Sequence, residues 1–130
     1  MSLDVSPELL AQAESGEIDP AAFLDTVRTS LPYAYTMVET LSAQLKAGDQ
    51  PFADNQTPPA TETERGQLLR ALASNAIRGS LENHFGVQLA FQNCHRLAAF
   101  RPGADTTEAY QRFTSQRGQI LNQSALLRNC

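Results

Sequence analysis

Between Thr61 and Phe85 the apolar residues Leu68, Leu69, Leu72, Ala76, Ile77, Leu81 and Phe85 recur at steps of three and four, the period of a helix with one buried side. Arg70, Ser74, Arg78 and Glu82 face away from that side at four-residue steps. Thr61 followed by Glu64 forms a capping box and Gly86 is a natural stop, so the pattern predicts one helix across the whole stretch. A helix striped this way gains most of its stability by packing, so the remaining segments must supply its partners.

They carry the same signature. Ser6-Pro7-Glu8 reads as a helix start with Ser6 as cap, and Gly16 as its end. Asp19-Pro20 opens a second helix with Phe23, Leu24, Val27 and Leu31 on one face, and Pro32 breaks or kinks it. Ala34, Val38, Leu41 and Leu45 then line a third, with Gly48 as a left-handed stop. Residues 49–60, with Pro51, Pro58 and Pro59, read as an irregular loop of functional length.

The period changes after Gly86. Val87, Leu89 and Phe91 alternate with Gln88, Ala90 and Gln92, which is a strand pattern, and 96–100 reads as its return strand. A lone hairpin is marginal in water, so this one must rest on helices or on another chain. Thr106 or Thr107 caps a last helical region with Tyr110, Phe113, Ile120 and Leu121 on one side, interrupted at Gly118 and Ser124. The expected fold is mainly α: a bundle-like single domain over 1–130 with a small β-hairpin near residues 87–100.

An apolar share of 42% with scattered charge is that of a globule able to bury a core without staples. There is no long apolar run and no basic leader, which predicts a cytoplasmic protein without a membrane span, and Cys94 and Cys130 are expected as free thiols. The net charge of −4 divides unevenly: Met1 to Glu64 carries eleven acids against two bases, and Arg65 to Cys130 carries eight arginines against three acids. Opposed fields favour docking of the two halves on one another, with an anion site on the arginine-rich half as the sharper alternative. Nucleic acid is disfavoured as a partner, because the arginines form no dense run and the acidic half would repel phosphates.

No phosphate-binding glycine loop, dinucleotide fingerprint, paired-cysteine zinc motif or nucleophile elbow is present, so no cofactor and no metal is expected. The most suggestive string is Phe91-Gln92-Asn93-Cys94-His95-Arg96. A Cys94 thiolate beside His95 or Arg96 would be stabilised by positive charge and become nucleophilic, although unpaired cysteine is commonly a small core residue. Cys94 and His95 are therefore the catalytic candidates. Asn93 and Arg96 join Asp54, Asn55 and Gln56 of the proline-rich loop as ligand-binding candidates. Arg117 is added because a cation in a helix's first turn opposes the dipole unless an anion or a carboxylate compensates.

The strings Thr29 to Ala34, Phe52 to Pro59, Arg65 to Ser74 and Phe91 to Arg96 resemble an uncharacterised family of small actinobacterial single-domain proteins. The resemblance runs over nearly the whole chain and implies a bacterial, cytosolic protein; it implies no activity. Two functional expectations follow. The first is a non-enzymatic protein-interaction or regulatory module that works as a homodimer, with apolar helix faces and the hairpin as the interface. The second is a small enzyme or anionic-ligand-binding protein with a pocket around Cys94, His95 and Arg96.

Overall fold

The computed structural model describes residues 3–92 and 96–123. Its helices are α1 (Pro7–Ser15), α2 (Pro20–Ser30), α3 (Pro32–Ala47), α4 (Glu62–Ala73), α5 (Asn75–Phe85), α6 (Glu108–Thr114) and α7 (Gln116–Leu121). Three short strands accompany them: β1 (Phe52–Asp54), β2 (Gln88–Gln92) and β3 (Arg96–Phe100). The protein is mainly α.

Most helix starts are written in the local sequence. The side chains of Ser6, Asp19, Thr61, Ser74, Thr107 and Ser115 each accept a hydrogen bond from a backbone N–H in the first turn of the following helix. Helix α3 is different. Leu31 precedes it and cannot cap, so Gln67 of α4 reaches across and its Oε1 accepts from Tyr33 N at 2.7 Å and Ala34 N at 3.2 Å. The C-terminus of α3 is also served from a distance: Arg101 donates to the carbonyls of Leu45 and Gly48, both at 3.0 Å, and of Gln50.

That arrangement corrects the expected left-handed stop at Gly48, which is extended at φ −115° and ψ 176°. With the orphan carbonyls taken by a guanidinium, no left-handed cap is needed. The stretch from Thr61 to Phe85 is likewise two helices and not one. Ser74 leaves the helix and caps α5 through Ile77 N at 3.2 Å, while Arg78 takes the Leu72 carbonyl at the end of α4 at 3.1 Å. Ser74 and Arg78, expected to face away on one long helix, hold a corner. Leu69, counted in the stripe, is exposed.

The expected irregular loop over 49–60 contains a strand. Phe52–Asp54 pairs antiparallel with β3, Phe52 opposite Phe100 and Asp54 opposite Ala98, and the sheet order is β1-β3-β2. The predicted hairpin is present, with Gln88 opposite Phe100 and Gln92 opposite Arg96. Its β3 is the central strand of a three-stranded sheet covered on both faces, and β2 is an edge. Leu89, Leu97 and Ala99 point into the main core with Val27, Leu31, Val38, Leu41, Leu68, Ile77 and Leu81. Ala90, Ala98 and Phe100 point the other way, against Phe113 of α6, with Phe52 and Tyr110 at the margin. Phe100 makes near-perpendicular ring contacts with Tyr110 and Phe113 at 5.1 and 5.7 Å.

The final helical region is interrupted at Ser115, whose hydroxyl caps α7 through Gly118 N at 3.0 Å. Gly118 lies inside α7, buried against the carbonyls of Arg112 and Phe113. Ile120 and Leu121, expected on the buried side, are 71% and 68% exposed, because the break rotates them away from α6. The second interruption, expected at Ser124, lies outside the described residues.

Candidate functional site

The side chains on the α6 face of the sheet include a polar group at one end. Arg96, first residue of β3, pairs through Nη2 with Oδ2 of Asp54 on β1 and donates through Nη1 to Asn122 Oδ1 at 2.8 Å. Its guanidinium lies over the Phe113 ring, 5.8 Å from the centroid. The other Asp54 oxygen accepts from Gln56 Nε2 at 2.6 Å. Asn55 extends the pairing beyond β1: its N–H donates to Leu97 O at 3.2 Å and its Oδ1 accepts from Leu97 N at 2.8 Å. The structure thus brings together Asp54, Asn55, Gln56 and Arg96, which are far apart in sequence.

This grouping has a definite electrostatic character. The Asp54 side chain is 9% exposed and the Arg96 side chain 29%, so the arginine's charge is matched by a carboxylate that is largely out of water. An anion binding Arg96 would have to compete with Asp54. Among the described residues no hydrogen-bond partner is found for two buried polar atoms here, Nε of Arg96 itself and Oε1 of Gln92 opposite it. Gln92 is 1% exposed, and its amide is oriented by donation from Nε2 to Phe113 O at 2.6 Å.

Asn93, Cys94 and His95 lie outside the described residues. Arg117 is exposed on α7. Gln92, Asn122 and Phe113 belong to the grouping and were not read from sequence. The period-2 pattern put Gln92 on the polar side of a half-buried strand, whereas α6 covers that side.

The charged halves meet in the Asp54–Arg96 pair, while the other ion pairs among the described residues, Arg28–Asp25 and Arg112–Glu108, lie within single helices. Arg78 is spent on the Leu72 carbonyl and Asn75 Oδ1, and Arg101 on backbone carbonyls. His84 is exposed in the last turn of α5, edge-on to Phe85 and beside Tyr35. Among the described residues no three His, Cys, Asp or Glu side chains are grouped to hold a metal ion, and no helix is long and apolar enough to cross a membrane.

Two surface depressions complete the geometry. One, of 660 Å³, runs between α2 and α5, with Phe23 and Leu24 on one wall and Ala76, Gly79, Ser80 and Asn83 on the other. The second, of 520 Å³, lies along β2 between Arg78 and Glu82 of α5 and Tyr110 and Thr114 of α6.

A family model described as NucS shadow ORF matches residues 1–130. The chain belongs to the NucS shadow ORF family. No curated protein and no solved structure matches it. The family description names a reading frame by its relation to NucS and names no activity, so no residue of this NucS shadow ORF chain receives a role from it. What the side chains can do is decided by the geometry above.

Proposed function

We propose that the protein is a non-catalytic interaction module of the bacterial cytoplasm that acts as a homodimer through the groove between α2 and α5. The observation that carries this reading is the lining of that groove, which joins Phe23 and Leu24 to a small-residue face at Ala76, Gly79 and Ser80 and contains no acid, lysine or arginine, with His84 at one end as its titratable side chain. A two-fold interface sets each patch against its own copy, so a single-signed charge would repel itself and a neutral patch does not. At Gly79 no atom stands within 4 Å of where a Cβ would lie, so a second α5 can approach the helix backbone closely.

Because the family is described as a reading frame, the first measurement is of the chain itself. Targeted mass spectrometry on cells carrying the frame should find the tryptic peptide spanning 71–78; its absence across growth conditions would remove any cellular role. The dimer is tested by sedimentation of the purified chain. The wild type should sediment as a dimer and Gly79→Glu as a monomer with unchanged helical circular dichroism. A wild type that stays monomeric at high concentration overturns the reading.

A further inference from the structure

The outer edge of β2 has its own chemistry, separate from the α2/α5 groove. In an antiparallel pair, residues alternate between bonding their neighbour and pointing their backbone groups away from it. Leu97 gives both backbone groups to the β1 side, through Asn55. Its partner Phe91, and Leu89 two residues earlier, therefore turn their N–H and C=O groups to the free side of β2. The Leu89 N–H confirms the parity: it leaves the sheet and donates to Glu82 Oε2 at 2.9 Å.

The edge lies open at the floor of the 520 Å³ groove, with Arg78 and Glu82 of α5 on one wall and Tyr110 and Thr114 of α6 on the other. A row of unpaired strand groups is a template for a further strand, and proteins guard such rows with charged side chains. Glu82 guards one donor by standing where the carbonyl of a neighbouring strand would stand. Among the described residues nothing guards Phe91 N–H or the carbonyls of Leu89 and Phe91 in this way.

We propose that the β2 edge is a strand-addition site for an extended peptide, which pairs with Leu89 and Phe91 as a fourth strand and displaces the Glu82 carboxylate from Leu89 N–H. Main-chain hydrogen bonds supply the affinity in this mode of recognition, and alternate side chains supply the selectivity. The stretch Gln88–Phe91 that lines the groove matches a segment of about four residues, roughly 13 Å of extended chain. Alternate side chains of the guest face Arg78, Glu82 and Phe91 on one wall and Tyr110 and Thr114 on the other; valine can lie against Phe91 and the aliphatic stem of Arg78, and threonine against the two hydroxyls. Because α5 and α6 flank the edge on both faces, a second copy pairing edge to edge would bring its own α5 and α6 against them, so a single segment suits the groove better.

The test uses the full ¹⁵N-labelled chain and, as probe, a lysine-ended peptide of alternating valine and threonine, with a control N-methylated at the valine amides. On titration the Phe91 amide should move downfield and its hydrogen exchange slow by about tenfold or more, as a newly bonded edge amide does. The methylated peptide should do neither. Glu82→Ala, which frees Leu89 N–H, should tighten peptide binding several-fold. An unmoved Phe91 amide, equal binding of the methylated control, or Phe91 protection that rises with protein concentration without peptide would each overturn the proposal; the last would assign the edge to a second copy. The Gly79→Glu monomer should still bind the peptide, so failure of the dimer reading and failure of this one are separable.

Discussion

Gln67 Oε1 stands 2.7 Å from the backbone nitrogen of Tyr33, and this one bond joins the middle of α4 to the first turn of α3. The same oxygen takes Ala34 N, so a buried amide more than thirty residues away does the work that Ser and Thr do at the other helix starts. Gln67→Met should therefore cost about 1–3 kcal/mol, since two N–H groups lose their acceptor where water has little access. Chemical denaturation beside the exposed control Arg70→Met measures it, and equal midpoints would refute the capping role.

Two helical glycines should respond to alanine with opposite signs. Within one chain a Cβ at Gly79 meets nothing within 4 Å, so at dilutions where the chain is monomeric Gly79→Ala should stabilise it by about 0.5–1 kcal/mol through reduced unfolded-state entropy. At Gly118 the same Cβ would collide with the Arg112 carbonyl oxygen and crowd that of Phe113 at 3.2 Å, so Gly118→Ala should destabilise and loosen α7 from α6. Thermal melts of the two variants decide the signs.

The Tyr33 phenol is held above its ordinary pKa, first by burial and second by the nearby negative charge of Glu64. Both favour the neutral phenol. A raised folded-state value means the associated stability is complete below the unfolded tyrosine pKa and is lost as pH rises through the folded one. The wild type should therefore lose stability in alkali more steeply than Tyr33→Phe. Parallel pH–stability curves for the two proteins would contradict this.

Asp54 and Arg96 should be coupled. Either single change, Asp54→Ala or Arg96→Met, strands a charge among largely buried groups, at about 2–3 kcal/mol given the arginine's partial exposure. The double variant should cost less than the two singles added together, and a double-mutant cycle by urea denaturation reads the difference. Strict additivity would show that the pair is not energetically joined.

What could be read in advance, and what could not, divides along the same lines. The starts at Ser6, Asp19, Thr61 and Thr107 and the stop at Gly86 were legible because a cap and its helix lie within a few residues of one another. The break at Ser74 was hidden by a stripe that runs through it in phase, and nothing local says that Arg78 will take the Leu72 carbonyl. Strand β1 was hidden because its three residues have no periodicity to show; β3 makes it a strand by pairing with it. Of the candidate site, Asp54, Asn55, Gln56 and Arg96 were noticed as residue types in suggestive loops, but their meeting depends on that pairing. Gln92 shows in the sequence only as a polar position of a half-buried strand, a face that α6 covers in the fold, and Asn122 carries no local signal.

The helical class, most helix starts and the β2–β3 turn-back follow from the chain's local pattern, because propensity, capping and periodicity are interactions between near neighbours. Tertiary structure alone decided which buried polar groups are satisfied and by whom: Gln67 for α3's start, Arg101 for its end, Asp54 for Arg96. A backbone donor or acceptor removed from water must find a partner wherever packing brings one, and that partner's address is a property of the fold and not of the local sequence.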